Sequence, residues 1–463
     1  MIAHRLRSAR SIGAALALSM CFIGSTSKVW AQNASHPDAE PAIPDNPYIS
    51  YRDAWRWDIR TQLFLNSANI TADNPSTPGR NYNEEVITTL WTPREVELVL
   101  PVVREGGFYW SPNTDVEVDI RLDDVDLYGG GSNQRFRQNG TPDAPVVGKD
   151  VAITQKFVEG TNAEYTHWQS GDIDGRYRQL HVIHNSHIVS ADTVFNDQLA
   201  RQLPWPESWS PAAQAFLTPV VDNVGSPIRD DAEETIAKLV EFWIGEGIDP
   251  KSGPQLDVVK FLTGKVIEYF TIRGQGTEFT QRTTAGGRPS FVVSSNTWGG
   301  FIVRPADVVA REPSGSRHDL AVLLTSVLRS AGVPARTVIC IDQQETDPLL
   351  NTVSMVEFAM RDPDRDLTFW VPIDIDRVRV SGARSTQYQR KWLYFGTHDR
   401  LSHMIPIAYY FHPPARYQSF EMPLLYGIRS VGDVNTIPDY MIQALLVDTI
   451  NTPATGNDRR RTD

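Results

Sequence analysis

The distribution of apolar positions divides the chain into a strand-rich first half and a helix-led second half. Aromatic and β-branched runs recur at residues 55–65, 85–91, 116–122, 151–158 and 180–189, separated by Asn, Pro and Gly clusters. Strand formers bounded by turn formers predict a β-sandwich, here over residues 48–203. After the Pro-Trp-Pro-Glu-Ser-Trp stretch at 204–209 the period lengthens. Ile236, Leu239, Val240 and Trp243 share one face of a helix over 232–243, and Val259, Leu262, Val266 and Ile267 share one face of a second over 256–270.

A third helix has the sharpest boundaries in the chain. Leu320, Leu323, Leu324, Val327, Leu328 and Ala331 keep three-and-four spacing, Gly332 takes the position after the cap, and Pro334 bars continuation. Its start, Ser316-Arg317-His318-Asp319, has the form of a capping box with Asp in place of the usual Glu. Strand-type runs follow at 336–341, 353–360, 368–373 and 392–395. One helix followed by antiparallel strands predicts an α+β unit over 204–430. Residues 32–47 read as a flexible lead, and 431–463 as a C-terminal segment whose polar end, from Thr452, predicts disorder. The sequence holds no internal repeat.

The third helix and the strands after it carry a specific motif. Gly315-Ser316-Arg317-His318-Asp319-Leu320-Ala321, running on to Leu328-Arg329-Ser330-Ala331-Gly332-Val333-Pro334-Ala335-Arg336, resembles without a gap the central motif of the transglutaminase-like superfamily. There a Gly-x-Cys-x-Asp-x-Ala stretch opens a helix that ends in Leu-Arg-x-x-Gly-Ile-Pro-Ala-Arg. Ser354-Met355-Val356-Glu357-Phe358 is similar to that family's His-Ala-Trp-Val-Glu-Val strand, and Phe369-Trp370-Val371-Pro372-Ile373-Asp374 to its Gly-Trp-Val-Pro-Leu-Asp strand. Residues 392–396 are similar to a closing strand, and residues 85–93 resemble a strand of an accessory sandwich.

The resemblance implies a papain-like core, a helix packed on an antiparallel sheet, preceded by the β-sandwich. It also implies a thiolate at the helix start, where the dipole lowers its pKa, with an imidazole as base and a carboxylate to orient it. Residue by residue, those positions fall on Arg317, Val353 and Asp374. A guanidinium cannot attack an acyl carbon and valine carries no proton. The implied protein is a pseudoenzyme of the cell envelope that binds or scaffolds without a cofactor, with peptides, peptidoglycan or an envelope protein as partner.

Several residues carry alternatives. Arg317 reads first as an ion-pair partner of Asp374 or Glu357, and second, with Ser316 and His318, as an anion site at the helix start. Cys340 is the alternative nucleophile of a cysteine hydrolase, amidase or crosslinking enzyme with His318 as relocated base, although a lone Cys in a strand behaves as a small apolar residue. A third reading is a purely structural assembly module. His181, His184 and His187 suggest a metal site until the two-residue period of a strand turns His184 to the opposite face. Asp362, Asp364 and Asp366 suit an Asp/Pro turn, without the glycine of a calcium loop. No metal is expected.

Charge and processing signals narrow the setting. Arg5, Arg7 and Arg10 precede an apolar run from Ile12 to Ile23, and Val29-Trp30-Ala31 forms a small-x-small site, so residues 1–31 read as a signal peptide cleaved after Ala31. Met20 before Cys21 argues against a lipid anchor, and the run is too short for a stable span. Cleavage removes four basic residues and no acidic one, taking the net charge from −12 to −16. An exported, strongly acidic chain with one remaining thiol, Cys340, is expected to be secreted or periplasmic and to avoid nucleic acid.

Overall fold

The computed structural model describes residues 44–67, 69–72, 85–88, 93–101, 103–111, 117–124, 133–137, 151–157, 164–170, 177–217, 232–245, 253–273, 297–298, 303–345, 352–410, 427–432 and 441–453. Residues 1–43, which include the expected signal segment, Cys21 and most of the expected lead, lie outside them. Among the described residues no helix is long and apolar enough to cross a membrane.

The strand-rich half is built around two 19-residue strands, β1 (Ile49–Ser67) and β2 (Tyr177–Phe195). They pair antiparallel from Ile49↔Phe195 to Asn66↔Gln179, with a bulge between Arg52 and Trp55 where Asp53 takes a φ of 48°. Strands Tyr109–Trp110, Glu117–Asp124, Asn133–Arg137, Thr297–Trp298 and Met441–Pro453 complete a seven-stranded sheet with them. A separate four-stranded sheet joins Pro93–Pro101, Val151–Phe157, Glu164–Ser170 and Gly427–Gly432. Of the run at 85–91, residues 85–88 are described, and they form the strand Glu85–Thr88. The C-terminal segment is drawn into both sheets: Met441–Pro453 pairs with β1, and Gly427–Gly432 pairs with Pro93–Pro101. Thr452 and Pro453, expected to be disordered, end that last strand.

The helical half follows the sequence closely. Its helices are α1 (Ala232–Gly245), α2 (Gln255–Tyr269), α3 (Ala306–Arg311), α4 (Arg317–Ser330) and α5 (Ile375–Val380). The four-stranded antiparallel core sheet consists of β3 (Ala335–Asp342), β4 (Thr352–Asp362), β5 (Leu367–Ile373) and β6 (Met404–Tyr409), in the order β5-β4-β3-β6. α4 is buried nearly all round because α1, α2 and α3 pack against it on one side and β3 and β4 on the other. Leu320, Leu323, Leu324, Val327 and Leu328 have no exposed surface. Gly332, at φ 83°, ends the helix in the left-handed conformation that Gly tolerates without strain.

The run at 392–395, expected as a strand, is a turn touching β5 only through the single bridge Ile373↔Phe395. Its apolar residues are buried for another reason: Trp392 and Phe395 flank the Lys260 ammonium, each ring centroid 5.5 Å away. Tyr394 at φ 63° and Gly396 at φ 70° reverse the chain, which a strand does not allow. Lys260 itself has no exposed surface and is held by Asp197 at 3.0 Å and the Arg390 carbonyl at 2.6 Å.

The roots of the long strands join the core sheet. The Trp57 indole donates to the Ser402 carbonyl at 3.2 Å, the Ser190 hydroxyl to the Met404 carbonyl at 2.7 Å, and Thr193 bridges His398. Beside them the segment before Tyr109 is keyed into the sheet. The Gly107 N–H donates to Glu357 at 2.7 Å, and Arg336 reaches the Glu105 carbonyl. A Cβ on Gly106 would stand 2.5 Å from the Glu357 carboxylate, so only glycine passes there.

Candidate functional site

The start of α4 is fixed by the capping box that the sequence predicts. Ser316 Oγ accepts from the Asp319 N–H and the Asp319 carboxylate accepts from the Ser316 N–H, both at 3.2 Å. Asp319 is also gripped by Arg304, whose backbone N–H and Nε donate at 2.8 and 3.1 Å. Arg317 therefore leaves the first turn in a set direction. Its guanidinium, half-buried, donates to the Thr352 carbonyl at 2.6 Å, next to Val353. Burial pulls its pKa down, while the carboxylates of Asp376, Asp374, Glu345 and Asp342 favour its charge.

His318 turns inward. Its Nδ1 lies 2.7 Å from Ser354 Oγ, only 1% of the residue is exposed, and burial, reinforced by the Arg317 charge, lowers its pKa to about 3. The pair has the atoms of a nucleophile–base dyad, but an imidazole of that pKa accepts no proton near neutrality. Of the residues expected to form an anion site, Ser316 and His318 have hydrogen-bond partners inside the protein, and Arg317 is half-buried.

The register of the core sheet sorts the remaining residues by face. Arg336↔Glu357, Val338↔Met355 and Cys340↔Val353 are opposite one another and share a face, while Ile339↔Ser354 and Ile341↔Thr352 share the other. The second face looks at α4, as Ser354 on His318 and the 2.7 Å contact of Thr337 with Thr325 demonstrate. Val353 and Cys340 look away from it. Asp374 follows Ile373, which pairs with helix-facing Val356, and so falls with Val353 and Cys340. Of the three positions singled out by the motif, Val353 and Asp374 fall on the sheet face away from α4, while Arg317, at the helix start, reaches the sheet at the Thr352 carbonyl beside Val353.

Cys340 is fully buried, with its thiol 3.9 Å from the Val338 carbonyl. Burial pushes the thiol well above its ordinary pKa, and the carboxylates of Glu357, Asp374 and Asp342 push it further. It lies on the face opposite the one that meets His318, its expected base.

The carboxylates expected to partner Arg317 have other arginines. Glu357 takes Arg336 at 2.8 Å, both buried, with the guanidinium 4.0 Å from the Trp370 ring centroid. Asp374 takes Arg377, three residues on, with Nε at 3.2 Å and the backbone N–H at 3.1 Å. Arg400 holds Asp342 at 3.2 Å and Gln344 at 2.9 Å, and Arg377 approaches the same Asp342 oxygen at 4.0 Å. Arg377, Arg400 and Asp342 had no place in the motif. The Asp374-x-x-Arg377 spacing at a helix start was the one local signal for any of them.

The other candidates resolve simply. Asp362 caps the β4–β5 turn, accepting from the Asp364 and Arg365 N–H groups at 3.0 and 3.3 Å and from the Tyr48 hydroxyl at 2.7 Å. Asp366, at φ 49°, is part of the same turn. His187 meets Asp58 at 2.5 Å, and the side chains of His181 and His184 lie outside the described residues. Among the described residues no group of three or more His, Cys, Asp or Glu is placed to hold a metal.

Comparison with known proteins agrees with the motif. The sequence profile of the transglutaminase-like superfamily matches residues 294–375, which span α4 and β3 to β5. No curated protein matches the chain. Among solved structures, one provisionally assigned as a cysteine protease from Cytophaga hutchinsonii is 10% identical, with a TM-score of 0.41, covering 86% of this chain and 100% of its own. A provisionally assigned protease from Parabacteroides distasonis is 12% identical at a TM-score of 0.20, covering 70% and 59%. Red sea bream transglutaminase is 12% identical at 0.22, covering 63% and 50%. The α+β core around α4 is therefore the part of the chain that carries the likeness to the transglutaminase-like superfamily.

Proposed function

We propose that this is an exported transglutaminase-like protein in which Arg317 and Val353 occupy the nucleophile and base positions, leaving a non-catalytic binding or scaffolding domain of the cell envelope. In this reading the seven- and four-stranded sheets form its accessory sandwich. One observation carries the proposal: the corner where thiolate, imidazole and carboxylate would meet holds a guanidinium on the Thr352 carbonyl, an aliphatic side chain, and an aspartate engaged by Arg377. None of these supplies an attacking atom or a base at neutral pH. Cys340 does not restore the chemistry, because its thiol is buried on the face away from His318.

The test is an amine-incorporation and amide-hydrolysis assay with the mature chain. We expect no turnover above the buffer blank. Turnover that disappears in Cys340→Ala would overturn the proposal and establish a relocated thiol nucleophile. The variant carrying both Arg317→Cys and Val353→His rebuilds the three groups at the same corner, and labelling of its new thiol by an alkylating reagent below neutral pH would support the assignment of those positions.

A further inference from the structure

Two arginines at this corner converge on a single carboxylate oxygen. Arg377 and Arg400 come from α5 and from the turn before β6, yet both reach the same carboxylate oxygen of Asp342, at 4.0 and 3.2 Å. Behind them the anions are sunk into the protein: the Asp342 and Asp374 side chains are 6% and 8% exposed. In front of them the cations reach solvent, at 28% for Arg377 and 37% for Arg400. Each guanidinium is fixed by part of its planar fork, Arg377 through Nε on Asp374 and Arg400 through Nε on Gln344 and one terminal nitrogen on Asp342. Arg377 also lies over the Tyr394 ring, 5.4 Å from its centroid, which limits its movement.

A guanidinium has five donors, so anchoring one edge leaves the other directed outward. Two such edges, held side by side by a shared buried aspartate, match the two oxygens of a carboxylate. We propose that Arg377 and Arg400 form a binding site for a carboxylate group, such as the C-terminus of a peptide or a sugar acid, with Asp342 and Asp374 as the buried anchors that hold the pair in place. Arg317 is not part of the pair, because its guanidinium donates to the Thr352 carbonyl at 2.6 Å. The inference rests on the corner being a binding surface, and it names the chemistry of the ligand.

The experiment measures binding of N-acetyl-Ala-Ala and of its C-terminal amide to the full mature chain by calorimetry at low ionic strength, with glucuronate as a competitor. We expect the acid to bind at least about tenfold more tightly than the amide, since only the acid forms the charge-assisted pair. Arg400→Gln should weaken the acid by at least about fivefold and leave the amide unchanged, with the thermal melt confirming the fold. Glucuronate displacing the peptide acid at lower concentration would keep the carboxylate site and assign it to a sugar acid. Equal affinity for acid and amide, no measurable binding of either acid, or an Arg400→Gln variant that binds as the parent would each overturn the site. These readouts do not depend on turnover, so a failure here and a failure of the non-catalytic reading are told apart.

Discussion

One face of the core sheet carries two arginine–carboxylate assemblies that the fold treats in opposite ways. At Arg336 and Glu357 both partners are buried, aromatic rings wall in the guanidinium, and the Gly106-Gly107 segment seals the carboxylate. Asp342, at the end of the Arg336 strand, and Asp374, just after β5, are also buried, but their arginines are 28% and 37% exposed. The first assembly has every group turned toward the protein and joins the strand-rich half to the helical half. The second presents cations to solvent over hidden anions. The same chemical pair is a structural joint where both partners are buried, and at Asp342, where two arginines share one buried anion, a surface able to take a ligand.

That contrast is broken most directly at the sealed pair. Glu357→Gln leaves the Arg336 charge buried without its counter-ion, and we expect a loss of about 3–5 kcal/mol in stability, read from the urea unfolding midpoint. A loss below about 1 kcal/mol would mean that the joint contributes little, and the distinction between the two assemblies would fail.

The next effect is on acid stability. Burial lowers His318 to about 3 and His398 to about 4, against 6.5 as the ordinary value. As the pH falls below 6.5, the unfolded chain takes up protons that the folded chain refuses. Stability therefore decreases on acidification until the folded values are reached, with a slope of about 1.4 kcal/mol per pH unit for each histidine. His318→Asn should reduce the slope between pH 6 and 4 by one proton relative to the parent, and an unchanged slope would show that His318 titrates normally.

Smaller still is the cap of α4. Ser316→Ala removes the acceptor for the Asp319 N–H and should cost about 1 kcal/mol. At the exposed assembly Arg400→Gln should change stability by no more than about 0.5 kcal/mol, because a partly exposed pair is screened by water. A large loss there would turn the second assembly into another joint.

What the sequence made legible follows the range of the interactions. The ends of α4 are set by neighbours within four residues, so Ser316, Asp319 and Gly332 could be read directly. The corner was half legible: Arg317, Val353 and Asp374 came from the motif, but the partners of the carboxylates did not. Arg377, Arg400 and Asp342 lie on separate elements and meet only through tertiary folding. The C-terminal strands were missed for the same reason, since pairing of Met441–Pro453 with β1 spans nearly the whole described chain. At Trp392 and Phe395 the apolar pattern reported burial against Lys260, which a period count cannot tell from a strand.

The most direct test of the central claim uses the Cys340 thiol: the rate of its alkylation as a function of pH, with and without denaturant, mapped to the residue by mass spectrometry. A buried thiol with a raised pKa should stay unlabelled in the folded chain up to alkaline pH and react only after unfolding. Fast labelling of the folded protein below neutral pH would reveal an activated thiolate and contradict the account of a domain that binds without catalysing.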